Sequence, residues 1–112
     1  MDINTHVPSA VREYFTRMDS SDKAQAIDVF TPDARVQDDG HSYRGHAEIL
    51  GWLTGAASEY TFTSTWLSAQ ATENTATVVI RLEGSFPGGV VDLRYVFATT
   101  PDGRISALSI AP

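Results

Sequence analysis

Two stretches in the second half of the chain alternate apolar and polar residues, and this alternation constrains the fold most. They read ATVVIRLEGSF and VVDLRYVFA. A period of two is typical of strands that bury one face and expose the other. Pro87-Gly88 lies between them, and a two-residue turn there pairs Leu82 with Leu93. The sequence therefore predicts an antiparallel hairpin with one apolar face and one charged face.

Helical spacing occurs in the first half of the chain. Apolar residues recur every three or four positions from Val7 to Met18, and a second such pattern runs from Asp22 to Phe30. Asp22 is expected to cap this second helix. A third helix is predicted from Gly45 to about Ala57. A short strand, Ala34 to Asp38, precedes it.

The order of these elements predicts an α+β fold, with three N-terminal helices packed on a strongly curved antiparallel sheet. A long strand in EYTFTSTWLSAQA and a last strand from Arg104 to Ala111 complete the sheet. A curved sheet under helices is expected to leave a hydrophobic cavity at its open end. The chain has 112 residues, so one domain covering residues 1–112 is expected.

Composition narrows the classes of function. Eight basic and fourteen acidic residues give a net charge of −6, which argues against nucleic acid or an anionic membrane as partner. The chain has no cysteine, so thiol catalysis and thiolate metal sites are excluded. Neither an export signal nor an apolar run of about 20 residues is found. A cytoplasmic location is therefore predicted.

Asp38 is the candidate for chemistry in the short strand. Alternation places Ala34, Val36 and Asp38 on one face, so a carboxylate completes an otherwise apolar row. Two explanations stay open. Asp38 could be a pocket carboxylate that takes a proton from a bound compound, or it could cap the turn at Asp39-Gly40.

A family resemblance enters through the segment AVREYFTRMDSSDKAQAIDVFTPDARVQDDG, followed by Tyr43-Arg44-Gly45 and the long strands. This order resembles the NTF2-like superfamily, and most closely the branch of ketosteroid isomerases and SnoaL-like polyketide cyclases. The resemblance covers nearly the whole chain. It implies a cone-like sheet, a small hydrophobic molecule as ligand, no cofactor and no metal. It also implies a homodimer formed through the charged face of the sheet.

The resemblance assigns roles to particular positions. Asp38 matches the general base of ketosteroid isomerases, and Tyr14 matches the phenol that donates to the developing oxyanion. The third position, an acid in that family, falls on Tyr95 or Arg94, so the sequence departs from the family here. The Tyr95 phenol could serve instead as a neutral donor. Each tyrosine could equally be a core residue of its apolar face.

Aromatic residues complete the predicted site. Trp52, Phe62, Trp66 and Phe97 are candidate ligand contacts, although each could also be core, and Trp66 could belong to a dimer interface. His41 follows the Gly40 turn and could modulate Asp38. His41 and His46 are interpreted as exposed loop residues rather than metal ligands.

The leading hypothesis is a pocket protein for a small hydrophobic ligand, acting as a cofactor-free isomerase or cyclase with Asp38 as base. The alternative is a non-catalytic ligand-binding or dimerisation domain. Limonene-epoxide hydrolases share the fold implied by the resemblance but place an acid on the last strand. Here that strand reads ISALSIAP and has no acid, so that activity is not expected.

Overall fold

A single six-stranded sheet carries the helices on one of its faces within the described part of the chain. The computed structural model describes residues 7–20, 22–55 and 62–112. In these ranges the helices are α1 (Ser9–Met18), a 3-10 helix (Lys23–Val29) and α2 (Gly45–Thr54). The strands are β1 (Phe30–Asp38), β2 (His41–Arg44), β3 (Phe62–Ala71), β4 (Thr75–Gly84), β5 (Val90–Thr99) and β6 (Ile105–Ala111).

The α+β class is confirmed, but the sheet is mixed rather than antiparallel. Its order is β2-β1-β6-β5-β4-β3, and β1 runs parallel to β6 while the other neighbours are antiparallel. A period of two predicts a strand but not the direction of its neighbour, which explains the difference. The predicted strong curvature is not confirmed, since the sheet is not strongly curled. Its terminal strands, β2 and β3, stand at opposite ends of the order.

The helices differ in detail from their predictions. The second one is a 3-10 helix, and the Asp22 side chain forms no capping hydrogen bond. α2 begins at Gly45 as predicted and ends at Thr54, and the predicted residues 56 and 57 lie outside the described ranges. Gly45 has φ 81°, which lets the chain leave β2 and enter the helix directly. Glu48 accepts a hydrogen bond from the Arg44 backbone N–H at 2.9 Å and so stabilises this start.

β4 and β5 form the predicted hairpin in a different register. Leu82 pairs with Val91, not with Leu93. The loop is longer than two residues because Gly84 N–H donates to the Gly89 carbonyl, and Gly89 has φ 72°. A shift of two residues keeps every side chain on its predicted face. The prediction of faces is therefore correct although the pairing is wrong.

A bulge alters the first long strand. Trp66 pairs with Ile80 and Ser68 pairs with Val79, so Leu67 is an extra residue in β3. Ser68 consequently lies on the outer face, whereas uninterrupted alternation along the strand would place it on the same face as Trp66. The predicted start of this strand at residues 59–61 lies outside the described ranges.

The core fills the space between the helices and the inner face of the sheet. Tyr14 on α1 contacts Phe97 on β5, with ring centroids 5.5 Å apart in an edge-to-face arrangement. Phe15 lies 5.2 Å from Tyr95 in the same geometry. These contacts hold α1 against the inner face of β5. Asp38 is the last residue of β1.

Candidate active site

Asp38 and Tyr95 lie in one row across three neighbouring strands. Asp38 pairs with Ile110 of β6, and Ile110 pairs with Tyr95 of β5. Residues paired in this way share a face, and neighbouring strands lie about 4.8 Å apart. The two Cα atoms are thus about 10 Å apart, with both side chains on the inner face. The row depends on the parallel pairing of β1 with β6, which the sequence did not predict.

A buried tryptophan orients the Asp38 carboxylate. The indole N–H of Trp52 donates to Asp38 Oδ2 at 3.0 Å, and the Trp52 side chain is only 2% exposed. Trp52 comes from α2, 14 positions along the chain from Asp38. The Trp52 ring lies 6.1 Å from that of Tyr43, which belongs to β2. The carboxylate is therefore hydrogen-bonded to a helix rather than simply ending a strand.

Two phenols face this carboxylate and remain protonated. Burial raises the pKa of Tyr14 well above its usual range, and the neighbouring Tyr95 and Asp38 charges raise it further. Burial, and then the Asp38 charge, also raise the pKa of Tyr95. A phenol with a raised pKa stays neutral and keeps its O–H as a hydrogen-bond donor. The site thus combines one carboxylate with two neutral donors.

These side chains surround a small cavity. Its volume is about 150 Å³, and Asp38, Tyr14, Tyr95, Trp52 and Phe62 are among its lining residues. A cavity of roughly this size accommodates a molecule such as benzene. An adjoining surface cleft of about 550 Å³ shares Asp38 and Phe62 with it, so Asp38 lies between the two spaces.

The remaining predicted contact residues lie elsewhere. Phe97 is fully buried in the aromatic core and Trp66 packs against Phe15 at 4.9 Å, so neither lines the cavity. Trp66 instead borders a polar surface groove near α1. His41 is exposed, and its Nδ1 lies 3.0 Å from the Asp39 carbonyl in the hairpin turn. His41 is not among the described residues that line the cavity.

Other residues of the cavity were not predicted from the sequence. Lys23 of the 3-10 helix, Ser64 of β3 and Ile110 of β6 line it. Lys23 had a signal in the sequence, because it is the only lysine of the chain. Across the described ranges, no three carboxylate or imidazole side chains are grouped closely enough to hold a metal ion. In the same ranges no helix is long and apolar enough to cross a membrane.

Comparison with known proteins identifies the family. Residues 11–108 match the profile of the SnoaL-like domain. The chain belongs to the SnoaL-like domain family. The predicted resemblance to the SnoaL-like and ketosteroid-isomerase-like branch of the NTF2-like superfamily is thereby confirmed. Among curated proteins, none matches this sequence.

Solved structures support the same placement of this SnoaL-like domain. A candidate polyketide cyclase from Sinorhizobium meliloti is 32% identical, with a TM-score of 0.87, over 96% of this chain and 97% of its own. A Catenulispora acidiphila protein with a ketosteroid isomerase-like fold, in complex with trimethylamine, is 16% identical with a TM-score of 0.81. The match covers 95% of this chain and 86% of that protein. RV0760c of Mycobacterium tuberculosis, in complex with estradiol-17beta-hemisuccinate, is 13% identical with a TM-score of 0.75. The match covers 92% of this chain and 90% of that protein. The last two similarities concern the fold alone.

Proposed function

We propose that this SnoaL-like domain is a cofactor-free isomerase or cyclase that moves a proton next to the carbonyl group of a small hydrophobic molecule. Asp38 is the general base, and Tyr14 and Tyr95 bind the carbonyl oxygen. The observation that carries the proposal is the position of Asp38, which lines the cavity together with both phenols. A carboxylate facing neutral donors across an apolar space suits enolate chemistry.

The reaction proceeds in two proton transfers. Asp38 removes a proton from the carbon beside the carbonyl, and the electron pair of that C–H bond forms the enolate, whose charge lies on oxygen. The hydroxyls of Tyr14 and Tyr95 donate hydrogen bonds to this oxygen. Asp38, now protonated, returns the proton to carbon at another position of the conjugated system. No atom or electron is gained or lost in this isomerisation.

Trp52 gives the two oxygens of Asp38 different roles. Oδ2 accepts the indole hydrogen bond, and Oδ1 is the oxygen we assign to the proton transfer. The raised pKa of each phenol supports the donor assignment, since a neutral Tyr14 or Tyr95 donates to an enolate without losing its proton. Binding of the substrate in a cavity of about 150 Å³ limits the reacting part to about one six-membered ring.

Hydrogen exchange tests the reaction directly. In D₂O, the protons on the carbons next to the cyclohexanone carbonyl are replaced by deuterons. The decrease of their proton NMR signal measures the rate of this exchange. We expect the wild type to accelerate this exchange, and Asp38→Asn to reduce the acceleration by about 10² to 10⁴. Tyr14→Phe should reduce it by about 10², because one donor to the enolate is removed.

Asp92→Asn is the matched control for this assay. It makes the same substitution on the outer face, where Asp92 is exposed and bonded to Arg81. We expect full exchange activity in this variant. Equal rates for the wild type and Asp38→Asn would overturn the catalytic assignment. Cyclohexanone line broadening without exchange would then favour the non-catalytic ligand-binding alternative.

A second candidate function, association with a second copy of the chain, is favoured by the outer face of the sheet. Val79 and Val96 lie on this face and are half-buried, and they border a shallow groove that also includes Arg94. We propose a homodimer through this face, as the family resemblance implies. Light scattering should give twice the monomer mass for the wild type and the monomer mass for Val96→Lys. A monomeric wild type would contradict it.

A further inference from the structure

Lys23 lies in the same cavity as the proposed catalytic residues. It is the first residue of the 3-10 helix, it is half-buried, and it lines the cavity with Asp38, Tyr14 and Tyr95. It is the only cationic side chain among the cavity's described lining residues. The proton-transfer mechanism above gives it no role.

The ammonium group of Lys23 has no carboxylate partner within the described residues. The described ion pairs engage Arg17, Arg81 and Arg104. Arg17, the nearest of these along the chain, is bonded to Glu13 and to Asp28. A cation that lines a cavity and is engaged in no described ion pair favours an anion in that cavity.

The charges around Lys23 define where an anion fits. Asp19, at the end of α1, also lines the cavity but is exposed, so water weakens its effect. Asp38 is the other acid of the lining, and its Oδ2 accepts the Trp52 hydrogen bond. On charge alone, an anionic group is therefore expected beside Lys23 and the uncharged part of the ligand beside Asp38.

We propose that the ligand of this cavity is a small carbonyl compound that also carries a carboxylate, and that Lys23 binds this carboxylate. The carbonyl then lies toward Tyr14 and Tyr95 and the carboxylate toward Lys23. The cavity of about 150 Å³ selects short oxo acids of about eight non-hydrogen atoms. This inference rests on the proposed function, because it assigns the substrate class of the same site.

A matched pair of probes tests the inference. 4-Oxopentanoate and 4-oxopentanamide have the same shape and differ in charge. Dissociation constants are measured by NMR shift changes of the protein, which require no turnover. We expect the oxo acid to bind the wild type about tenfold more tightly than the amide, because only its carboxylate forms a charge-assisted hydrogen bond with Lys23. This preference should fall as salt is added.

Three variants separate the charge of Lys23 from its packing. Lys23→Gln should bind both probes equally, whereas Lys23→Arg should keep the preference because it keeps the positive charge. Arg104→Gln makes the same change in net charge in the exposed segment before β6, and should also keep the preference. In Asp38→Asn, which removes a negative charge from the cavity, the oxo acid should bind more tightly than in the wild type.

The outcomes distinguish this inference from the proposed function. Equal affinities for the two probes in the wild type, or an unchanged preference in Lys23→Gln, would overturn the role of Lys23. If cyclohexanone exchange were still catalysed, the proposed function would stand. If the protein prefers the oxo acid in a Lys23-dependent way but catalyses no hydrogen exchange, the carboxylate site would stand and the proposed catalysis would be refuted. Absence of binding by both probes, together with absence of exchange, would refute both.

Discussion

Asp38 and Asp92 lie on opposite faces of one sheet, and each accepts hydrogen bonding from a side-chain nitrogen. Arg81 Nε donates to Asp92 Oδ1 at 2.8 Å, and Trp52 Nε1 donates to Asp38 Oδ2 at 3.0 Å. The Arg81 and Asp92 side chains are 45% and 44% exposed, whereas Trp52 is 2% exposed. The two bonds therefore have similar lengths in very different surroundings.

The difference shows that hydrogen-bond length says little about the role of a carboxylate. Arg81 neutralises Asp92 and lowers its pKa mainly through their hydrogen bond. Trp52 is a neutral donor, so it orients the carboxylate of Asp38 without neutralising it. An oriented carboxylate beside a cavity is placed to accept a proton from a ligand, whereas an exposed ion pair contributes little to stability or chemistry.

The largest effect in this comparison is expected from Trp52→Phe, which removes the indole N–H and keeps an aromatic ring. The free energy of unfolding should fall by about 2 kcal/mol, because a hydrogen bond to a charged group is lost. The rate constant for cyclohexanone exchange should fall about tenfold, since Asp38 loses its orientation, while KM changes little.

Trp66→Phe is the control for the change of ring size. Trp66 packs against Phe15 outside the cavity, so exchange activity should be kept in this variant. Urea unfolding and exchange kinetics measure the two effects separately. Unchanged exchange in Trp52→Phe would show that Asp38 needs no donor to orient it.

An intermediate effect is expected from the buried phenols at alkaline pH. Above a pH of about 10 the unfolded chain releases the phenolic protons. The native state keeps them, because the pKa values of Tyr14 and Tyr95 are raised. The native state then binds more protons than the unfolded state, so stability falls as pH rises, by up to about 1.4 kcal/mol per pH unit for each phenol.

Urea unfolding between pH 8 and 11.5 measures this dependence. In Tyr95→Phe one of the two buried phenols is missing, so the decline above pH 10 should be less steep than in the wild type. The curves should be parallel between pH 8 and 9, where both states are protonated at this position. Identical slopes above pH 10 would refute the raised pKa of Tyr95.

The smallest effect is expected from Arg81→Gln on the outer face. Asp92 has a lowered pKa, so its pairing with Arg81 stabilises the native state above the usual pKa of an aspartate and is lost as pH falls through the lowered value. Because both side chains are exposed, water and salt screen the pair. Thermal unfolding at pH 7 in 0.5 M salt should show no resolvable change. A clear loss of stability in 0.5 M salt would show that the Arg81–Asp92 pair stabilises the fold about as much as the Trp52–Asp38 hydrogen bond.

Local patterns in the sequence predicted the faces of the strands well. Ala34, Val36 and Asp38 share the inner face as alternation indicates, and Asp39 and Gly40 form the turn that follows, with φ values of 53° and 76°. The register of β4 and β5 was predicted wrongly, because the length of the loop depends on the backbone bond between Gly84 and Gly89. A shift of two residues leaves the same side chains on the same face, so alternation alone does not distinguish the two registers.

The spacing of apolar residues is enough to place Asp38 among apolar neighbours and Tyr14 and Tyr95 on buried faces. These features follow from side-chain periodicity, which acts over a few residues. The surroundings of Asp38, in contrast, depend on contacts between distant elements. The parallel pairing of β1 with β6 aligns it with Tyr95, and the packing of α2 brings Trp52 to its carboxylate. These contacts join residues distant in sequence, and no local period encodes which distant elements will meet.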